Sequence, residues 1–147
     1  MPTILGLLES VLYVEDMHRS VEFYRRVFGF SVLHDSERLS ALRVAPGQVL
    51  VIIKQGADAK PTVLPFGTIP PSDGKGDLHV AFGILPDELD QWREKLERHG
   101  VGIESVIEWP EGGHSLYFRD PDHHCVEVKT SDWDGEPLPS GNPATST

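Results

Sequence analysis

Residues 9–16, ESVLYVED, alternate with period two. Glu9, Val11 and Tyr13 share one face of an expected strand, and Ser10, Leu12 and Val14 share the other. Asp16 then stands where a helix N-cap belongs, ahead of MHRSVEFYRRVFGF. Met17, Val21, Tyr24 and Phe28 recur at helical spacing as a core-facing stripe, and Gly29 is placed to end the helix. Three short strands are expected next, in FSVLH, LSALRV and QVLVIIK, the last two joined by a turn at Ala45-Pro46-Gly47.

The same order returns from residue 77. DLHVAFGI reads as a strand, with Leu78, Val80 and Phe82 on one face and His79, Ala81 and Gly83 on the other. Pro86 suits the first turn of a helix over PDELDQWREKLERHG, striped by Leu89, Trp92 and Leu96 and closed by Gly100. Strands are expected in GIESVIEW, SLYFR and HCVEVK, with Asp120-Pro121-Asp122 turning between the last two.

Strand, helix, three strands, twice over, is an internal duplication. Aligning SALRVAPGQVLVI with SLYFRDPDHHCVE sets Pro46 against Pro121, and Gly29 falls against Gly100. The expected organisation is a single α+β domain over residues 1–130, built from two βαβββ modules around one cleft. Module one spans about residues 5–56 and module two about residues 77–130. Residues 57–76 join them and read first as a passive linker; Phe66 and Ile69 offer a partly packed lid instead. The tail, residues 131–147, is polar and rich in Pro, Gly, Ser and Thr, so it is expected to be disordered, with local docking open to Trp133.

Composition narrows the function classes. The chain has 147 residues and a net charge of −10. That charge argues against nucleic acid or an anionic membrane as a partner, and its plain reading is solubility. No run approaches the length of a membrane span, and MPTILGLLES carries no secretory signature, so a cytoplasmic address is expected. Cys125 is the single cysteine, which excludes an intrachain disulfide; it reads as a small buried residue. Phosphate loops, nucleophile elbows, cysteine clusters and helical His-Glu-x-x-His motifs are absent from the sequence.

The candidate chemistry lies in LYFRDPDHHCVEV, residues 116–128. Glu127 sits between two valines of a core-like strand, where a carboxylate is costly to desolvate without a partner. In the duplicated alignment Glu9 and His79 occupy corresponding first strands. Equivalent strands side by side would bring these two across a cleft that Glu127 also joins. One imidazole and two carboxylates suit a divalent ion and leave coordination positions open. Each residue also has a plainer reading. His79 can be an ordinary hydrogen-bonded strand residue, Glu9 can face solvent, and Glu127 can pair with Arg119, Arg43 or Lys129. His123 and His124 belong to the turn, too far along the strand from Glu127 to form a motif with it, and are expected at the surface. Tyr117 shares strand parity with Ser115 and Arg119 and can turn its hydroxyl to the site. Tyr13, on the face of Glu9, and His114 with Ser115, after Gly112-Gly113, are candidate substrate-rim residues.

Three segments carry a family resemblance. DMHRSVEFYRRVFGF resembles the first-helix signature of the vicinal-oxygen-chelate superfamily, the glyoxalase, bleomycin-resistance and dioxygenase group. GDLHVAFGI and GGHSLYFRDPDHHCVEV resemble its second-module strand and closing hairpin. The resemblance implies metal ligands at Glu9, His79 and Glu127, with Tyr117 and Glu127 as catalytic groups. It implies a Zn, Ni, Mn or Fe(II) ion acting as a Lewis acid on a small oxygen-rich substrate, in isomerase, lyase or transferase chemistry. It also implies a homodimer.

Two alternatives belong to the same group: a metal-free small-molecule binder of the bleomycin-resistance type, and an Fe(II) extradiol-type dioxygenase. No single branch matches throughout. The first ligand position is more usually His or Gln in the family, where this chain has Glu9. The acidic ligand that the glyoxalase I branch takes from the last strand of module one falls here on Val51 or Ile52. The fosfomycin-modifying thiol transferases are similar at His79, Tyr117 and Glu127, yet their basic phosphonate-binding residues have no counterpart here.

Overall fold

The computed structural model describes residues 1–131, so the expected tail, Trp133 included, lies outside the described residues except for the buried Ser131. The chain divides into two compact units, Met1–Gly76 and Asp77–Thr147. The first contains β1 (Glu9–Val14), α1 (Met17–Phe28), β2 (Ser31–Asp35), β3 (Leu39–Ala45) and β4 (Gln48–Lys54). Its sheet runs β1-β4-β3-β2, with β1 parallel to β4 and the other pairs antiparallel.

The helix forms where capping and stripe coincide. Asp16 accepts the Arg19 N–H at 3.0 Å, meeting one of the donors a helix start leaves unpaired. Gly29 takes the left-handed conformation at φ 73° and returns its N–H to the Arg25 carbonyl at 2.9 Å. The helix lies against β3 and β4. Leu12, Val14, Leu42, Leu50 and Ile52 share one sheet face by register and are all buried. Each such side chain contributes about 1.5–3 kcal/mol by leaving water. The helix buries more than its predicted stripe, since Phe23 and Val27 are buried with Met17, Val21 and Tyr24. Phe28 is only half-buried and stacks between Tyr24 and Phe30.

The linker expectation is corrected. Residues 57–76 contain a hairpin, β5 (Thr62–Leu64) paired with β6 (Gly67–Ile69). The segment is anchored to its own unit. Arg38 donates twice to the buried carboxylate of Asp58, at 2.9 and 2.6 Å, and once to Thr62 Oγ1 at 3.0 Å. The Tyr13 hydroxyl donates to Ser72 Oγ at 2.8 Å. Phe66 and Ile69 are exposed rather than packed, because the hairpin is held by polar bonds at its base.

The second unit repeats the plan with β7 (His79–Ile84), a 3-10 turn at Pro86–Glu88, α2 (Leu89–Arg98), β8 (Ile103–Glu108), β9 (His114–Arg119) and β10 (Cys125–Thr130). Its sheet order is β7-β10-β9-β8, with β7 parallel to β10. The two units therefore share one strand order and one pattern of parallel and antiparallel pairs, as the duplication predicts. Leu116, Phe118, Val126 and Val128 are fully buried on one face of this sheet. The alternate residues, Ser115, Tyr117, Cys125 and Glu127, share the other face.

The turn between β9 and β10 is made by Asp120. Its Oδ1 accepts the N–H groups of Asp122 and His124, both at 2.9 Å. His124, expected at the surface, is fully buried, and its Nδ1 accepts the Leu78 N–H at 2.9 Å. It satisfies a backbone donor just before β7, which a solvent-facing side chain would leave to water. His123 is exposed as expected and stands at φ 67°.

Candidate functional site

The register of the second sheet sets Cys125 opposite His79 on the parallel side, and Glu127 opposite both Ala81 and Tyr117. His79 and Glu127 thus lie one pleat apart on adjacent strands, and His79 Nε2 faces Glu127 Oε1 across 3.3 Å. The imidazole is half exposed and the carboxylate is buried. His79 Nδ1 lies 2.8 Å from the Cys125 carbonyl oxygen. A carbonyl only accepts, so Nδ1 carries a hydrogen and Nε2 is the ring nitrogen turned to the Glu127 carboxylate. An imidazole nitrogen turned to a carboxylate oxygen at this distance is joined to it by a cation, a proton on the nitrogen or a metal ion. That donor set fits a divalent ion, and the backbone bond to Nδ1 is the kind of support that orients ligating histidines.

The far oxygen of Glu127 is engaged separately. Ser115 Oγ donates to Oε2 at 2.5 Å, and Trp109 Nε1 donates to Ser115 Oγ at 2.8 Å. Ser115 is the second residue of β9 and fully buried, not at a loop rim. His114 opens β9, half-buried, and its backbone N–H donates to Thr130 Oγ1 at 2.9 Å. Tyr117 stands beside Glu127, with its ring 6.3 Å from that of His79. Burial, and then the neighbouring Glu127 carboxylate, push the phenol above its ordinary range, so it is a proton-bearing group at neutral pH.

Beside this cluster lies a cavity of about 230 Å3 lined by Glu104, Ser105, Ile107, Tyr117, Arg119 and Cys125. Cys125 is therefore partly exposed, because its strand parity places it with Glu127 and not in the core. Arg119 does not pair with Glu127. It donates to both oxygens of Glu104, at 2.7 and 3.1 Å, and holds that carboxyl below its usual range. Lys129 lies over the Trp109 ring, 4.5 Å from its centroid.

The first unit has no equivalent cluster. Glu9 opens β1 as His79 opens β7, and its register partner is Val49. Two residues on from that partner stands Val51, where the second unit has Glu127 two residues on from Cys125. The carboxylate position is thus filled by the buried Val51, and Glu9 is exposed. Tyr13 is buried with its hydroxyl on Ser72. Among the described residues, no group of three or more His, Cys, Asp or Glu side chains is gathered in one place.

The register of the second sheet brings His79, Tyr117 and Glu127 to one face, and Trp109, absent from the expected site residues, joins them through Ser115. The parity of Ser115 with Glu127 was a legible signal. Trp109 had none, because it reaches Ser115 only through the turn closed by Trp109 N–H to the Gly113 carbonyl and Gly112 N–H to the Trp109 carbonyl.

The glyoxalase/bleomycin resistance protein/dioxygenase superfamily model matches residues 6–128, and the chain belongs to that family. It is 27% identical to the metallothiol transferase FosB of Bacillus licheniformis over 86% of this chain and 76% of that protein. It is 32% identical to a catechol-2,3-dioxygenase of Bacillus subtilis over 80% of this chain but only 38% of the dioxygenase. The crystal structure of a lactoylglutathione lyase from Agrobacterium tumefaciens superposes with a TM-score of 0.84 at 26% identity, covering 92% of this chain and 100% of the lyase. Among the described residues no helix is long and apolar enough to cross a membrane.

Proposed function

We propose that this chain is a metal-dependent enzyme of its superfamily, acting on a small oxygen-rich molecule. His79 and Glu127 would hold a divalent ion (Zn, Ni, Mn or Fe(II)), and Glu9 is proposed as a third ligand. The carrying observation is the opposition of His79 Nε2 and Glu127 Oε1 at 3.3 Å, with Nδ1 tied back to a carbonyl. Similarity to a metallothiol transferase, a dioxygenase and a lyase supports the class.

The bound ion supplies Lewis acidity toward substrate oxygens. The chain's own residues do the rest. Tyr117, protonated at neutral pH, offers an O–H beside Glu127 as a hydrogen-bond donor to substrate. The cavity over Ile107, Tyr117 and Cys125 has room for a small molecule. His79, open to solvent on one side, leaves the approach clear.

A second reading takes the same pair as imidazolium and carboxylate in a metal-free binding protein, with the 3.3 Å contact of His79 Nε2 and Glu127 Oε1 as an ion pair. Elemental mass spectrometry on untagged protein separates the two. Near-stoichiometric metal, lost in Glu9→Ala, His79→Ala and Glu127→Ala, carries the enzyme reading. Protein that stays empty after dialysis against Zn, Ni, Mn and Fe(II) carries the binder. Oxygen uptake with a catechol after anaerobic Fe(II) loading would select dioxygenase chemistry within the first.

A further inference from the structure

Deepening the metal reading, on which it rests, we infer that Trp109 and Ser115 form a two-step relay that positions Glu127, leaving Oε1 as its one ligating oxygen. The polarity of the relay is forced. An indole N–H only donates, so the Trp109 bond of 2.8 Å occupies a lone pair of Ser115 Oγ. The hydroxyl then has one hydrogen to give, and it goes to Glu127 Oε2 at 2.5 Å. That is the short distance of a charge-assisted O–H···O− bond.

Burial makes the arrangement strict. Ser115 is fully buried and Glu127 is 5% exposed, so the bond between them is shielded from water that could replace it. Oε2 is tied off and Oε1 remains turned to His79. With Oε2 held by Ser115, Oε1 is the oxygen Glu127 would offer to an ion; freed of Ser115, the carboxylate could offer both. The Lys129 ammonium stands over the indole face, 4.5 Å from its centroid, and adds a second contact to the ring. Ser115 and Trp109 are positioning residues, and neither needs to touch substrate.

The test uses Co(II), whose visible absorption reads its coordination, titrated into the full chain and into Ser115→Ala, Ser115→Thr and Trp109→Phe. Ser115→Ala is expected to bind Co(II) about 10- to 100-fold more weakly, the usual range for lost outer-shell support, with a changed spectrum. Ser115→Thr keeps the hydroxyl and restores both readouts. Trp109→Phe gives a smaller loss in the same direction and serves if Ser115→Ala does not fold. Wild-type affinity and spectrum in both Ser115→Ala and Trp109→Phe would overturn the relay.

A metal-free readout separates this from failure of the metal reading itself. The Trp109 indole N–H resonance, assigned by its loss in Trp109→Phe, is expected to move in Ser115→Ala and in Glu127→Gln. If the parent binds no Co(II), the metal reading falls and the relay stands on that resonance. An indole resonance indifferent to both changes overturns it.

Discussion

His79 and Glu127 face each other across adjacent strands: Nε2 stands 3.3 Å from Oε1, while the other ring nitrogen gives its hydrogen to the Cys125 carbonyl. Both ends are fixed by different neighbours, the imidazole by β10 backbone and the carboxylate by Ser115. Whatever cation joins them meets a preset geometry.

Tyr117 should titrate late. Its phenol is held above the ordinary value near 10 by burial and by Glu127. A group raised on folding stabilises the protein fully below its unfolded pKa, and that contribution is lost as pH climbs through the folded value. In an alkaline absorbance titration, Tyr117→Phe should therefore lack a late-rising tyrosinate component. Between pH 6 and 9 its stability should show no pH dependence that the parent lacks.

Acid should loosen the second unit at two exposed ion pairs. Asp77 is held below its usual range by its bond to His123, and Glu104 by its bond to Arg119. Carboxyls lowered on folding contribute stability above their unfolded pKa, and it is lost as pH falls through the folded value. The doubly substituted Asp77→Asn, Glu104→Gln protein should show a shallower loss of melting temperature between about pH 5 and 3 than the parent. Both pairs are solvent-exposed, so the difference should shrink further in high salt.

His124→Leu should destabilise the protein by about 1–3 kcal/mol, the cost of leaving the Leu78 N–H unsatisfied in the interior. Denaturant unfolding measures this directly. A surface histidine would give a change near zero.

Gly74→Ala should be costly although Gly74 lies in a loop. A Cβ there would stand 2.6 Å from Cδ2 of the buried Tyr13 ring. Overpacking of this kind costs about 1–3 kcal/mol. Tyr13→Phe, which removes the bond to Ser72, should cost about 1 kcal/mol and leave the ring packing intact. If limited proteolysis of Gly74→Ala cut no faster between residues 57 and 76 than in the parent, the close approach would not matter to the hairpin's anchoring.

The architecture was written locally and therefore legibly. Period-two runs, the Asp16 cap, Gly29 and the Asp120 turn are each decided within a few residues, so the succession of elements and the duplication follow from the chain alone. Strand parity, also local, separated His79 from Leu78, Val80 and Phe82 and set Tyr117 with Ser115; that Tyr117 stands opposite Glu127 is decided by register. What a side chain meets across the sheet is another matter. That Val51 and not Ile52 matches Glu127 required the register of β1 on β4. The burial of His124 and the anchoring of residues 57–76 depend on partners 46 and 20 positions away, Leu78 and Arg38. Trp109 reaches Ser115 only because the intervening turn folds it back. Periodicity assigns a residue to a face; only the packed sheet decides which acceptor on that face stands opposite which donor.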